Sequence, residues 1–221
     1  MRKASETWDK DSWKLGGGGS VWDGISYDPD SDLVYVGTGN AEPWPQALRA
    51  KSVSSGQDNL YVASIVAVHA STGELKWHYQ MVPGDQWDYD SVQQMILADL
   101  NINGKTRKVI MQANKNGFFY VLDRLTGEFL SAQPFSRVTW AKGIDQKTGK
   151  PVEYNPKLDV QLYNPEARAL RGDGTKRACP TWHGGVSHQP LAFNPVKNIA
   201  YGVGTEGCFS QNGAAVAVLS K

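Results

Sequence analysis

Apolar and polar residues alternate along most of this chain with the period of a strand, in short runs broken by turn residues. From Ser20 the order Ser-Val-Trp-Asp-Gly-Ile-Ser-Tyr predicts a strand to Tyr27. Asp28-Pro29-Asp30-Ser31-Asp32 predicts a turn. The β-branched and aromatic run Leu33-Val34-Tyr35-Val36 predicts the next strand, extending to Asn40, with Gly37 and Gly39 leaving one face bare. Asn40 reads as a turn residue at its end. Residues 46–58 are polar and irregular and predict a surface loop. Further strands are predicted at 61–68, around Trp77, at 108–113 and at 118–122. Asn114-Lys115-Asn116-Gly117 reads as a tight turn with Lys115 at a solvated tip. Residues 132–178 are charged, contain proline and show weak strand signals. They read as an excursion from the rest.

Two patterns repeat. Strand, Ser71-Thr72-Gly73, then a strand bearing Trp77 is a hairpin signal, and it recurs at Val121 to Glu128 with Thr126-Gly127. A weaker echo, Asp145 to Gly149, reads as an inserted loop. The second pattern is aromatic, Asp/Asn, Pro, a short linker, then a strand ending in glycine. It occurs at Tyr27-Asp28-Pro29 and again at Phe193-Asn194-Pro195. Two kinds of repeat, the first with 54 residues from Gly73 to Gly127, point to an all-β chain built of propeller blades.

Composition agrees with short strands and tight turns: the 221 residues include 23 glycines and 8 tryptophans. With 40% apolar residues there is material for a core. The formal net charge of +1 gives no electrostatic footprint for nucleic acid or an anionic lipid surface. No run of apolar residues is long enough to span a membrane, and Met1-Arg2-Lys3 opens no leader-like apolar segment. Cys179 and Cys208 form one bridge or stand as two buried thiols. Gly16 to Gly19 is a linker or a place of close backbone approach; its direct run into the Trp22 strand favours close approach.

The densest chemistry lies in Pro83-Gly84-Asp85-Gln86-Trp87-Asp88-Tyr89-Asp90, where three carboxylates fall within six residues. Such a loop can aim several oxygens at a hard cation, or hold a general base beside one. It can equally be a solvated acidic turn.

Ala67 to Trp77 resembles the tryptophan-docking repeat of pyrroloquinoline quinone (PQQ) dehydrogenases, with His69 where the repeat usually has Asp and Ser131 in the tryptophan place of the next copy. Other stretches are similar to the quinoprotein alcohol dehydrogenases in the same order: Ser12-Trp13-Lys14 with Gly16 to Trp22, Gly37 to Asn40 with Pro43-Trp44, Pro83-Gly84-Asp85 with Trp87-Asp88-Tyr89, Lys115 to Phe118 with Val121 to Arg124, and Cys179-Pro180 with Gly184-Gly185 and Gln189-Pro190. The resemblance runs over essentially the whole chain.

That resemblance implies a tryptophan-docked β-propeller domain over 1–221, about three to four blades of an eight-bladed propeller, with the excursion at about 132–178. It implies oxidation of a small primary alcohol with PQQ and a calcium or lanthanide ion, electrons leaving to a cytochrome c-type acceptor, in the periplasm. Trp22 matches the floor under the quinone ring, and Lys115 the cation at the quinone oxygens. Asn40 matches a metal ligand. Asp88 matches the aspartate that takes the alcohol proton, and it counts with Asn40 among the metal ligands. Asp90, where calcium enzymes carry a small or hydroxyl residue, matches the extra carboxylate of lanthanide enzymes. Ser187 stands where relatives often have a longer Asn or Asp touching PQQ. Cys179 and Cys208 fall where some relatives carry a disulfide. The adjacent Cys-Cys pair, the upstream glutamate ligand and a Cys-x-x-Cys-His haem motif are not in the sequence, so the chain reads as an incomplete portion, inactive alone. The rival reading is a non-catalytic propeller scaffold that binds proteins.

Overall fold

A computed structural model describes residues 2–9, 12–49, 57–158, 160–168 and 174–212. The described strands, in chain order, are β1 (Gly17–Gly18), β2 (Ile25–Asp28), β3 (Leu33–Gly37), β4 (Ala41–Glu42), β5 (Ser64–His69), β6 (Leu75–Gln80), β7 (Ile96–Ile102), β8 (Lys105–Ala113), β9 (Phe118–Asp123), β10 (Phe129–Pro134), β11 (Thr175–Ala178), β12 (Ala192–Asn194), β13 (Ile199–Tyr201) and β14 (Phe209–Asn212). Two four-residue helices, α1 (Arg2–Ser5) and α2 (Gln46–Arg49), accompany them.

Two antiparallel four-stranded sheets form the frame, ordered β2-β3-β5-β6 and β10-β9-β8-β7. These are blades of a β-propeller. In β3, Leu33, Tyr35 and Gly37 are buried and Val34 and Val36 half-buried, the alternation that the sequence predicts. The hairpin β12-β13 has the register of β2-β3: Asn194 faces Ile199 as Asp28 faces Leu33. Asp32 and Asn198 take the same left-handed turn position, φ 53° and 52°. The second sequence repeat is therefore a repeated hairpin. One core lies between the first two sheets, and a second joins Val109 and Met111 of β8 to Val186 and Leu191 near the third hairpin.

The Thr-Gly turns are the docking device. In each of the three, the glycine N–H donates back four residues, to the carbonyls of His69, Asp123 and Asp145. Gly73, Gly127 and Gly149 all have left-handed φ near 70° (74°, 75° and 68°). Trp77 lies flat on the turn of the next blade: a Cβ on Gly127 would come 2.7 Å from its ring. Its indole N–H and the Tyr35 hydroxyl both donate to the Arg124 carbonyl, at 3.0 Å each. The weak echo at 145–149 makes the same turn and takes Phe129 on its glycine, 2.6 Å from a Cβ there. Phe129 thus supplies a ring where Ser131 does not.

His69 departs from the aspartate of the other two turns, whose carboxylates accept the next N–H groups at 2.8 to 3.1 Å. The missing acceptor comes from the neighbouring hairpin: Asp32 accepts from the Ser71 N–H (3.2 Å) and hydroxyl (2.6 Å). Arg124 ties the sheets together through Asp28 and Asp99, at 2.8 Å each.

Three expectations need correction. The strand placed at 20–27 begins only at Ile25, because the Gly24 N–H is spent on the Val92 carbonyl. The 61–68 strand starts at Ser64, after Asn59 and Ala63 take positive φ. Residues 46–49 are not surface loop: they form α2, with Gln46 and Arg49 fully buried. Residues 50–56 lie outside the described residues. Between β10 and β11 the described residues hold a short 3-10 turn, Pro165–Ala167, and one bridge, Ile144 to Pro151. Trp140 and Tyr163 of that segment are completely buried.

Trp77→Ala should lower unfolding stability by about 3–5 kcal/mol. Gly127→Ala should cost about 1–3 kcal/mol by overpacking. Gly73→Ala has the same φ but open space at its Cβ, so it should cost only the backbone strain, about 1 kcal/mol. Urea titration of the three variants separates docking from strain, and equal losses for the two glycine variants would refute docking at Gly127.

Candidate functional site

The loop 83–90, between β6 and β7, is held from inside. The Asp85 carboxylate accepts the N–H groups of Trp87 and Tyr89, both at 3.2 Å, so it caps its own loop and turns no oxygen outward. Trp87 donates to the Ala167 carbonyl (2.6 Å) and Tyr89 to that of Pro180 (2.7 Å). Tyr163 donates to the Pro83 carbonyl (2.8 Å). Rings of Trp87, Tyr89, Trp140 and Tyr163 pack within 5.4 to 6.4 Å of one another. This buried aromatic block fixes the backbone on which Asp88 sits at φ 67°, a left-handed position that a non-glycine residue holds only when its surroundings impose it.

Lys115 meets the loop from the β8-β9 turn. It is no solvated tip: only 4% of it is exposed. Gly184 lies against its stem, where a Cβ would stand 2.2 Å from Cγ, and the Gly185 N–H donates to its carbonyl at 3.0 Å. The ammonium donates to Asp88 Oδ2 at 2.9 Å and Asp90 Oδ2 at 3.3 Å. Asp88 and Asp90 are themselves 9% and 3% exposed. The turn is rigid because Asn114 and Asn116 accept, in succession, the N–H groups of Asn116 (3.0 Å) and Phe118 (3.1 Å).

Asn40 closes the cluster. Its N–H donates to Asp90 Oδ1 at 2.5 Å, and its carboxamide nitrogen donates to Ala41 O and Glu42 Oε1, both 3.1 Å. Among the described residues the carboxamide oxygen accepts no hydrogen bond. The glycines of β3 and its end let the loop pass: a Cβ on Gly37 would lie 2.1 Å from the Ser91 carbonyl. The run Gly16 to Gly19 serves close approach within the chain itself, since a Cβ on Gly18 would lie 2.3 Å from the Asn40 carbonyl. Trp22 follows on a segment pinned at both ends, by Gly39 N–H to Ser20 O (2.8 Å) and Gly24 N–H to Val92 O (2.7 Å). Trp22 itself is 49% exposed.

The structure thus brings Asn40, Asp88, Asp90 and Lys115 into one hydrogen-bonded group and sets the Trp22 segment beside it. Ser187 is half-buried and uses its N–H on the Gln189 side chain. Cys179 and Cys208 form the disulfide. Arg49 was not legible as a functional support. Its guanidinium donates to the carbonyls of Pro43, Trp44 (2.6 Å) and Asp85 and to the Asn59 side chain (3.3 Å), clamping the loop from behind. The only sequence signal was an arginine within a stretch that otherwise read as loop.

Burial raises the Asp88 carboxyl to about 7 against the pull of Lys115, and Asp85 to about 6 against Arg49. Burial lowers Arg49 to about 10. Asp88 is therefore poised as a base near neutral pH.

Residues 1–138 match the family of glucose, ethanol and alcohol dehydrogenase β-propeller domains that use PQQ. The chain belongs to this family. It is 57% identical to the quinohemoprotein alcohol dehydrogenase ADH IIB of Pseudomonas putida over 69% of its length, covering 22% of that protein. It is 41% identical to the lanthanide-dependent methanol dehydrogenase of Methylacidiphilum fumariolicum over 95% of its length, covering 32% of that protein. The crystal structure of the quinohemoprotein alcohol dehydrogenase from Comamonas testosteroni superposes with a TM-score of 0.79 at 45% identity, over 91% of this chain and 28% of that one. The chain spans about a quarter to a third of these relatives, and the apolar residues Val21, Ile25 and Tyr27 at one end and Ile199, Tyr201 and Val203 at the other are exposed.

For a quinoprotein segment the donor set fits a hard cation. The two carboxylates and the spare Asn40 oxygen are all oxygen ligands, the kind calcium and lanthanides take. Among the described residues no three Asp, Glu, His or Cys side chains gather as a metal cluster. Three donors are fewer than such an ion requires, so this chain offers part of a coordination shell. The half-exposed Trp22 fits a planar ring.

Both raised carboxyls hold protons that the unfolded chain, with aspartates near 3.8, has already released. Their contribution to stability is full below about pH 4 and is lost as pH rises through about 6 and about 7. Asp28, Asp32, Asp123 and Asp145 are lowered, so their contribution is lost only on acidification below the ordinary carboxylate range. The metal-free chain should lose thermal stability between about pH 4 and pH 7, and Asp88→Asn should flatten that slope. A Tm rising across this window in the parent would contradict the burial of these groups.

Proposed function

We propose that this chain carries the core of a PQQ- and metal-dependent site for oxidising a primary alcohol, with electrons passed on to a cytochrome c-type acceptor, in the periplasm. The observation that carries the reading is the buried group Asp88–Lys115–Asp90 with the half-buried Asn40 hydrogen-bonded to it, at positions that the sequence resemblance pairs with the family's working residues. When bound, the quinone supplies the hydride acceptor and the metal a Lewis acid at its carbonyl.

The chain's own residues do the rest. Asp88 Oδ would take the proton from the alcohol hydroxyl. Lys115, which pairs with Asp88 and Asp90 in the unliganded chain, would supply a positive charge to the oxygens of a bound quinone. Trp22 offers the stacking face. Asn40 and Asp90 contribute metal ligands, and the second carboxylate favours a trivalent ion because each added negative charge gains more with +3 than with +2. The tight aromatic block behind Trp87 keeps water from the back of the loop.

The isolated 221-residue chain should not turn over alcohol, because faces that a closed propeller would cover are exposed at both ends. Dye-linked oxidation by the purified chain is the check, and robust turnover would refute this. In a full-length enzyme containing the segment, Asp88→Asn should abolish activity with any metal, at least about a thousandfold in kcat if the base step is lost. Asp90→Ala should remove a preference for a light lanthanide over calcium. Quinone absorbance co-eluting with the protein in gel filtration, dependent on metal, is expected. No retention of quinone by any form would favour the scaffold reading, and better activity with calcium in the unmutated enzyme would reduce Asp90 to a structural residue.

A further inference from the structure

We infer that Lys115 is the built-in counterion of the metal site: its ammonium neutralises Asp88 and Asp90 when no metal is bound, and a metal ion must displace it. The inference rests on the reading of Asn40, Asp88 and Asp90 as metal ligands.

The argument is electrostatic and geometric. Two carboxylates, each less than a tenth exposed, stand two residues apart on one loop. Both place Oδ2 on the same ammonium, at 2.9 and 3.3 Å. Asp90 uses Oδ1 on the Asn40 N–H, so the oxygen it shares with Lys115 is the one it has left for a cation. Asp88 meets the Lys115 ammonium through Oδ2 alone, and its Oδ1 accepts no hydrogen bond among the described residues. A cation bound by both carboxylates therefore competes with Lys115 directly for Asp90 Oδ2 and, at Asp88, stands one carboxylate away from the ammonium it repels. Nearby like charges in a buried setting interact strongly, so ammonium and metal cannot share them without loss.

The lysine has only one way to yield. Its stem is held by Gly184 and its carbonyl by Gly185, so the backbone and the first methylenes stay while the terminal methylenes swing. An acceptor that draws the ammonium away from the carboxylates, as quinone oxygens would, opens the metal site. Metal and quinone then bind with positive coupling through one side chain, and by linkage each strengthens the other equally.

The test uses the 221-residue chain and terbium(III), read by luminescence sensitised through the site's tryptophans, with variants Lys115→Met, Asp90→Asn and the double variant. Methionine keeps the stem and removes the charge. Without metal, Lys115→Met should lower Tm, and adding Asp90→Asn should restore part of it. With terbium, Lys115→Met should bind at least about tenfold tighter than the parent, the scale of one removed charge at these distances. PQQ should tighten terbium binding in the parent and not in Lys115→Met. Additive Tm changes, or an unchanged terbium Kd in Lys115→Met, would overturn the counterion role while leaving the metal site standing. Absence of terbium binding in every variant would sink the metal reading itself.

Discussion

Two carboxylates cannot be buried side by side without a cation, and the local structure is arranged to meet that constraint. Lys115 meets it directly. Placing its ammonium there requires the β8-β9 turn to come up under the loop, and Gly184 to leave room for the lysine stem. Removing one partner of such a buried pair costs about 3–5 kcal/mol, more than most single contacts contribute. The interaction is therefore costly to build and costly to lose. It explains why so many supports, from the capping Asp85 to the clamping Arg49, converge on eight residues.

The blades supply the rigidity. Trp77 docks on the next blade's turn, and Arg124 bridges Asp28 of one blade to Asp99 of the other. The site residues come from two blades: Asn40 follows β3 and the Asp88 loop follows β6 of the first, while Lys115 joins β8 to β9 of the second. A slip between blades would move Lys115 against Asp88 directly. Inter-blade docking and site geometry are thus one mechanical problem, which is why the docking turns recur even where the ring changes from Trp77 to Phe129.

Much of this was legible because it is local. Period-two alternation marked β3, β5 and β9, and the Thr-Gly spacing marked the turns. The working residues stood out through motif order rather than through their own chemistry: Lys115 and Asn40, taken alone, read as ordinary turn residues. What escaped was non-local. The burial of Arg49 depends on a loop 36 residues away. Asp32 replaces the turn aspartate missing at His69 across two strands. The interior role of Trp140 and Tyr163 in a segment of weak strand signal is tertiary, since their hydrogen bonds go to Asn116 and Pro83. No window of sequence contains both partners of any of these contacts.

The same constraint weighs on the choice between an enzyme and a scaffold. A scaffold gains nothing from two buried carboxylates side by side; replacing such a buried ionic group by packed apolar side chains is often neutral or stabilising. Strain and buried charge of this kind persist where a task requires them. Here both fall on Asp88, beside a lysine whose stem is fixed and whose charge can move. Trp22 is half exposed, on a backbone pinned from both sides. A surface built only for protein contact has no need of the buried carboxylates behind that segment, whereas the proposed stacking of a planar cofactor would use an exposed ring carried on a backbone held beside the Asp90 loop.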